Sequence, residues 1–245
     1  MAEITTEKVA LKVADGTSMN AYIARPTEEG KFPGMLVFQE AFGVNAHIRD
    51  ITERLARQGY VAIAPELYHR TGAGFEGSYT DFSTAMPHMQ AMKEEGSVQD
   101  IQAAHEWLKG NAHVISDRIA SIGFCMGGRM SFLASSVVPL RAAISFYGGG
   151  IAPALLPRAA NLSSPMLFFW GGLDKHIPPE QIRTVVDELK RAGKSFVNVE
   201  LSDADHGFFC DARASYNPTA ATLARTLTLK FLEVHVKEVG QAQKA

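Results

Sequence analysis

A cysteine lies at the centre of the segment Gly123-Phe-Cys-Met-Gly127, with one glycine two residues before it and another two residues after it. The segment follows a strand-like apolar run and precedes a run that can be helical. In a sharp strand-to-helix turn the central residue is strained and exposed, and flanking glycines prevent clashes between its neighbours. Cys125 would then lie at a helix N-terminus, where the helix dipole favours a nucleophilic thiolate. The alternative is a buried structural cysteine in a tight turn.

An acid and a histidine follow in an order that completes a nucleophilic triad. Asp174 comes soon after the apolar run that ends at Trp170, and His206 comes soon after the run that ends at Leu201. Because sites in open α/β sheets collect at the carboxyl ends of strands, these two residues and Cys125 are predicted to meet. The histidine would take and return the thiol proton, and the aspartate would fix the histidine tautomer. Taken singly, the aspartate could be a turn or cap residue and the histidine a polar loop residue.

The segment Gln39-Glu-Ala-Phe-Gly-Val-Asn45 follows another buried-type strand. A backbone N–H from such a loop can pair with the N–H that follows the nucleophile to bind an oxyanion. The amides of Ala41 and Met126 are predicted for this role. Glu40 is unusual at such a place, because an acid beside an oxyanion hole can influence thiol ionisation. The alternative is that Glu40 is a solvated loop acid.

Other sequence patterns are weaker indications of a dinucleotide, metal or redox site. Gly72-Ala-Gly-Phe-Glu-Gly77 matches G-x-G-x-x-G, but it does not directly follow a strand and no clear amphipathic helix opens at its last glycine. Cys210 lies near a histidine in sequence, yet one such pair does not make a tetrahedral metal site. Cys125 has no C-x-x-C partner, which disfavours a redox enzyme. The other histidines, His176 among them, are predicted to be solvated or structural.

An alternating α/β framework must position these residues. From Gly34 onward, apolar runs of strand length alternate with amphipathic segments of helical period, which predicts right-handed βαβ crossovers and a mostly parallel sheet with helices on both faces. Before it, two alternating segments around the turn at Asp15-Gly16 predict an antiparallel hairpin. We expect one α/β domain over residues 1–245. The predicted strands of the alternating part are Met35–Phe38, Tyr60–Ala64, Arg118–Gly123, Ala142–Tyr147, Met166–Trp170 and Phe196–Leu201.

Residues 68–96 interrupt this alternation. They are rich in glycine, serine, threonine and methionine, and their periodicity is poor. A loop of this length in a compact domain is usually functional or mobile, so it could be a lid that roofs a cleft. The alternative is a surface excursion with one helical turn.

Composition excludes several classes of protein. The chain has 245 residues, 46% hydrophobic and 20% charged, with a formal net charge of −2. No broad basic field is available, so we expect neither nucleic acid nor a membrane surface as partner. The longest apolar runs are far shorter than the roughly 20 residues of a membrane span. Two cysteines are no disulfide framework and the N-terminus lacks signal-peptide features, so we expect a cytoplasmic protein.

These residues together resemble the dienelactone hydrolase family of the α/β-hydrolase superfamily, from about Lys31 to Val236. A cysteine in the elbow combined with a Gln-Glu-x-Phe-Gly segment is much more specific than the elbow alone. The sharpest pieces are Gln39-Glu-Ala-Phe-Gly-Val-Asn45, Gly123-Phe-Cys-Met-Gly-Gly128, Gly172-Leu-Asp174 and Asp205-His-Gly-Phe208. The resemblance implies an α/β-hydrolase fold.

The resemblance also implies roles. Cys125 would be the nucleophile, His206 the base, Asp174 the orienting acid, and Glu40 the partner of the resting thiol. In the family this glutamate is thought to hold a neutral thiol until substrate displaces it and helps to generate the thiolate. The implied reaction is ring-opening hydrolysis of an enol-lactone through a thioester acyl-enzyme. It needs no metal and no organic cofactor.

One departure from the family concerns substrate binding. Members that cleave dienelactones bind the substrate carboxylate with arginines, one of them expected four residues after the catalytic histidine, where this chain has Cys210. A second is expected before the helix near Val98, where the preceding loop offers only Arg70. Arg213 could substitute for the first. Candidate substrate-binding residues are therefore Phe42, Tyr147, Arg213 and Arg70.

We therefore predict a cysteine-dependent hydrolase of lactones or activated esters. Its partner would be a small-molecule substrate, and the chain would be a monomer or a small homo-oligomer. One alternative is a general carboxylesterase with small neutral substrates. Another, from a different class, is a catalytically idle α/β-hydrolase that acts as a small-molecule sensor, which would bind without turnover.

Overall fold

The computed structural model describes residues 2–237 of the chain. Its strands are β1 (Ile4–Lys12), β2 (Ser18–Pro26), β3 (Phe32–Phe38), β4 (Val61–Pro65), β5 (Val114–Phe124), β6 (Ala142–Phe146), β7 (Met166–Gly171) and β8 (Phe196–Leu201). Its α-helices are α1 (Ala46–Arg57), α2 (His69–Gly72), α3 (Met86–Ala91), α4 (Glu94–Gly110), α5 (Met126–Val137), α6 (Pro179–Arg191) and α7 (Pro218–Leu232). A π-helical turn, Glu233–Lys237, continues α7.

The strands follow the order β1-β2-β4-β3-β5-β6-β7-β8 in the sheet. β1 and β2 form an antiparallel hairpin, and β2 pairs antiparallel with β4. The pairs β3–β4, β6–β7 and β7–β8 are parallel. Parallel neighbours need a crossover, and the intervening helices supply it. The predicted mostly parallel sheet with an N-terminal antiparallel hairpin is confirmed.

The packing of Cα atoms divides the chain into two compact units, Met1–Ser121 and Ile122–Ala245. The expectation of one domain over residues 1–245 stays a prediction. Residue 1 and residues 238–245 of that range lie outside the described residues. Among residues 2–237, no helix combines the length and the apolar character needed to cross a bilayer.

The first unit has its core on β3 and β4. Every residue of β4 is buried, as expected of a strand covered on both faces. Helix α1 begins at the side-chain cap of Asn45, whose Oδ1 accepts a hydrogen bond from the Ile48 amide at 3.2 Å. The helix buries Ile48, Ile51 and Leu55, which are the residues whose spacing predicts it.

The second unit is built around aromatic strands. All residues of β6 and β7 are buried, and the rings of Phe146 and Phe169 pack with their centroids 4.5 Å apart. Phe168 and Trp170 stack on the same strand at 5.6 Å. Strand β8 lies at the end of the strand order and is only partly buried. This edge position explains its mixed polar and apolar sequence, Phe-Val-Asn-Val-Glu-Leu.

Residues 68–96 contain more structure than the sequence indicates. They hold α2, a 3-10 turn at Phe82–Thr84 and α3, and α4 begins at Glu94 rather than near Val98. The alternative interpretation, a surface excursion with one helical turn, is therefore wrong about the helical content, and the lid stays a prediction. Helices α2 and α3 have four and six residues, too short to display the helical period on which sequence analysis depends.

Candidate active site

Cys125 occupies the sharp turn between β5 and α5. Its φ of 55° lies in the region that side chains avoid, at a cost of about 1–3 kcal/mol. Its amide donates to the Phe146 carbonyl at 3.0 Å, which fixes the strained backbone. A Cβ placed on Gly123 would collide with the carbonyl oxygen of Gly127, so the first glycine of the segment is required. This is the turn that the glycine spacing predicts.

Asp174 and His206 meet in the second unit. His206 Nδ1 lies 2.7 Å from Asp174 Oδ2, and both side chains are largely shielded, with exposures of 11% and 1%. The other carboxylate oxygen, Oδ1, accepts the His176 amide at 2.8 Å, which fixes the carboxylate plane. Cys125 also acts on this histidine, since its hydrogen bonding and charge help to raise the pKa of His206. The three residues predicted from strand-end positions are thus brought together.

This arrangement holds a proton on the imidazole. Burial alone would lower the pKa of His206, but the hydrogen bonds and charges of Asp174 and Cys125 outweigh it and raise that pKa to about 10. Burial alone would raise the pKa of Asp174, but the hydrogen bond and charge of His206 leave it below its ordinary value. Both shifts favour an imidazolium between the carboxylate and the sulfur.

The alternative of a buried structural cysteine does not fit Cys125. Its side chain is only partly buried, whereas Cys210 is the fully buried cysteine of this unit. Reactive cysteines are accessible and lie beside a cation, and inert structural ones are enclosed.

Tyr147 and His176 contact the ring of His206. Tyr147 is fully buried, has a φ of 38°, and places its ring centroid 5.0 Å from that of His206. His176 is exposed, and its ring lies edge-on to His206 at 5.4 Å. His176 is not among the residues that the sequence predicts for the site. Its position two residues after Asp174 is the signal that could have indicated it, because an aspartate commonly accepts the amide two residues on.

The loop after His206 brings an arginine close to it. The guanidinium of Arg213 lies directly over the backbone of Gly207, in space that a Cβ would occupy. Gly207 has a φ of 80°, so a larger residue would be strained there as well. Ser215 Oγ donates to the His206 carbonyl at 2.7 Å and holds the loop in a closed turn.

Glu40 lies in the first unit with a tyrosine on its carboxylate. Its side chain is fully buried, which contradicts the alternative of a solvated loop acid. The Tyr79 hydroxyl donates to Glu40 Oε2 at 2.9 Å. The neighbouring Ala41 is also buried, and its carbonyl accepts the Tyr68 hydroxyl at 3.1 Å. Phe42 is buried and packs its ring edge against Tyr79, with centroids 4.7 Å apart.

Arg70 is engaged in ion pairs of the first unit. Its Nη1 and Nη2 donate to the two carboxylate oxygens of buried Asp100, each at 2.9 Å, and its Nε donates to Asp15 at 2.7 Å. A substrate carboxylate would have to displace one of these partners. The bidentate pair with a buried carboxylate is the stronger type of contact, and breaking it would leave a buried charge unpaired.

Comparisons with known proteins agree with the sequence motifs. The model of the dienelactone hydrolase family matches residues 19–236. A Synechocystis sp. protein named "Putative carboxymethylenebutenolidase" is 35% identical over 228 residues, covering 88% of this chain and 92% of that protein. A more distant Bradyrhizobium sp. protein, named "Probable 2-oxo-3-(5-oxofuran-2-ylidene)propanoate lactonase", is 27% identical over 247 residues, covering 95% of this chain and 98% of that protein.

The similarity of this fold to solved structures is as extensive as the similarity in sequence. The crystal structure of a "Putative Dienelactone Hydrolase" from Klebsiella pneumoniae superposes with a TM-score of 0.85 and 31% sequence identity, and the match covers 94% of this chain and 98% of that one. The resemblance and the fold class inferred from the sequence are therefore confirmed. The chain has the α/β-hydrolase fold and belongs to the dienelactone hydrolase family of hydrolases.

Proposed function

We propose that this chain hydrolyses lactones or activated esters through Cys125 and a thioester acyl-enzyme. The observation that carries the proposal is the connected series Cys125–His206–Asp174, with the cysteine on a strained turn at a helix start. Such a series couples a nucleophile, a proton carrier and an orienting acid. It also opposes the alternative of an idle sensor, which has no need of that coupling.

The proposed reaction has two steps. In the reactive state the proton of the Cys125 thiol lies on His206, so that an imidazolium stands beside a thiolate. The thiolate attacks the carbonyl carbon, and the tetrahedral oxyanion is stabilised by the amides of Ala41 and Met126. The C–O bond then breaks, and His206 gives its proton to the departing alkoxide, which stays tethered to the acyl group if the substrate is a lactone. Water next attacks the thioester, loses a proton to His206, and releases the acid and the thiol.

We propose that Glu40 controls how reactive the resting thiol is. The resemblance implies a neutral thiol at rest, whereas the raised pKa of His206 favours an imidazolium that stabilises the thiolate. In this account the two groups act in opposition: a buried carboxylate disfavours a second negative charge, and the imidazolium favours it. Displacement of Glu40 by substrate would leave the imidazolium dominant.

Small neutral lactones and esters are the second candidate class of substrates. Cys210, fully buried, occupies the position at which the family is expected to carry an arginine, and Arg70 is paired with Asp15 and Asp100.

For a substrate that does carry a carboxylate, Arg213 is the cation that we propose. Phe42 and Tyr147 are the proposed apolar contacts of the substrate.

The test is turnover by two cysteine variants. Cys125→Ala should lose at least ~100-fold in turnover of a lactone and of a small activated ester, as deletion of a covalent nucleophile usually does. Cys210→Ala is the matched control and should keep most of the activity in a folded protein. Activity retained by Cys125→Ala and lost in Cys210→Ala would refute the assignment.

A further inference from the structure

We infer that Tyr79 is a positioning residue that holds the carboxylate of Glu40 in one orientation, and through it sets the reactivity of the catalytic thiol. The inference rests on the proposed function of Glu40. Tyr79 lies in the irregular stretch 73–81 between α2 and the 3-10 turn, and no motif marks it. Its role emerges from three hydrogen bonds of the first unit.

The direction of each hydrogen bond is fixed by its neighbour. Asn45 Oδ1 accepts the Ile48 amide as the cap of α1, so its Nδ2 is the atom that faces Tyr79. An amide NH₂ can only donate, so the Tyr79 oxygen accepts from Asn45 at 3.0 Å. The single hydroxyl hydrogen of Tyr79 is then directed to Glu40 Oε2, at 2.9 Å. A helix cap thus orients a tyrosine, and the tyrosine orients a fully buried acid.

The ring of Tyr79 is anchored independently of its hydroxyl. It packs edge-on against buried Phe42 and joins a small apolar cluster around Ala41 and Phe42. Because a phenylalanine can keep this packing, Tyr79→Phe removes the hydrogen bond with little change of shape.

The backbone on both sides of this contact is also held. The Gly77 amide donates to the Phe42 carbonyl at 3.0 Å. Gly43 has a φ of 79° and lies so close to the Phe75 carbonyl that no Cβ would fit. Arg49 and Glu76 form a two-point ion pair, with contacts of 2.6 and 3.2 Å. Residues 73–81 therefore form a fixed support for Glu40.

A different tyrosine of the same unit offers a matched control. Tyr22 on β2 donates to Glu53 on α1 at 2.9 Å, and both groups are partly shielded. Tyr22→Phe therefore also deletes one tyrosine–glutamate hydrogen bond, but this glutamate has no role in the proposed reaction.

The experiment compares Tyr79→Phe, Glu40→Gln, the double variant and Tyr22→Phe. Iodoacetamide alkylation of Cys125 is followed by mass spectrometry across a pH series, and kcat and KM are measured with p-nitrophenyl acetate. Tyr79→Phe should raise the alkylation rate near neutral pH in the same direction as Glu40→Gln, by up to roughly tenfold, the scale of one charge-assisted hydrogen bond. It should change kcat more than KM. The double variant should match Glu40→Gln, and Tyr22→Phe should match the wild type.

Each contrary outcome has a distinct meaning. A wild-type alkylation profile in folded Tyr79→Phe, beside a shifted profile in Glu40→Gln, would overturn the role of Tyr79 and leave the proposed function standing. Additive effects in the double variant would also overturn it, because residues that act through one another are not additive. An unshifted profile in Glu40→Gln would remove the proposed role of Glu40 and the inference with it. Full turnover by Cys125→Ala would instead refute the proposed function.

Discussion

Asp174 sets the pH range over which His206 keeps its proton. The pKa of His206 is raised to about 10 from an ordinary value of 6.5. Because the folded pKa is the higher one, the proton on His206 stabilises the fold fully below about pH 6.5, and this contribution is lost as the pH rises toward 10. The imidazolium is therefore expected to persist through neutral pH.

Replacing Asp174 with asparagine should narrow the pH range over which His206 keeps its proton. The variant keeps the shape but removes the charge that raises the pKa of His206, so we expect this pKa to fall by about one unit or more. An NMR titration of the His206 imidazole in the wild type and in the variant measures the change. A midpoint for His206 that stays near pH 10 in the folded variant would contradict the assignment of Asp174.

At the residue scale, motifs predicted the groups that chemistry constrains tightly. Gly123 could be predicted because only glycine avoids a collision in the turn, and Cys125 could be predicted because glycines lie two residues before it and two residues after it. The role of Tyr79 could not be predicted from the sequence. Its hydroxyl contacts Glu40, which is 39 residues away in the chain, and its neighbours form no motif. The buried state of Glu40 was also open from sequence, since an acid in a loop is more often solvated.

At the scale of elements, length decided what could be predicted. Helices α1 and α6, with 12 and 13 residues, present apolar residues at helical spacing over several turns and were predicted. The short helices α2 and α3 were missed because four to six residues give less than two turns of pattern. Their positions follow from tertiary contacts such as Tyr68 stacked on His88 at 5.3 Å.

We propose that the loop after β8 governs the preference for charged substrates. It places Arg213 over Gly207, next to His206 in sequence, and it buries Cys210 where the family is expected to carry an arginine. With one cation fewer, we expect a carboxylated lactone to be preferred over its methyl ester by about tenfold or less in kcat/KM, since each charge-assisted contact gives roughly ten- to a hundredfold. Arg213→Ala should abolish this preference.

Steady-state kinetics on the matched acid and ester decide the point. Arg183→Ala is the control, because Arg183 is an exposed arginine of α6 paired with Glu180. A preference of a hundredfold or more for the free acid would contradict the weakened carboxylate site. A preference that survives Arg213→Ala would contradict the choice of that residue.

At the scale of the whole molecule, the alternation of strands and helices predicted the fold class. Regular alternation leaves few topologies, because parallel strands joined by helices cross over with one hand. The family similarity spans residues 19–236, which include all of the alternating strands and helices from β3 to α7. Composition, in contrast, excluded classes of function but named no substrate, since a net charge of −2 and an ordinary apolar content fit most globular enzymes.

Intact-mass spectrometry of the protein shows whether an acyl group forms on Cys125. The protein is mixed rapidly with a panel of lactones and activated esters, quenched in acid, and digested to locate any added acyl group. We predict an acyl adduct on the peptide that contains Cys125, formed more slowly in His206→Ala, which lacks the group that carries the thiol proton, and absent from Cys125→Ala. Hydrolysis without any adduct on Cys125, or an adduct on Cys210 in its place, would contradict the account.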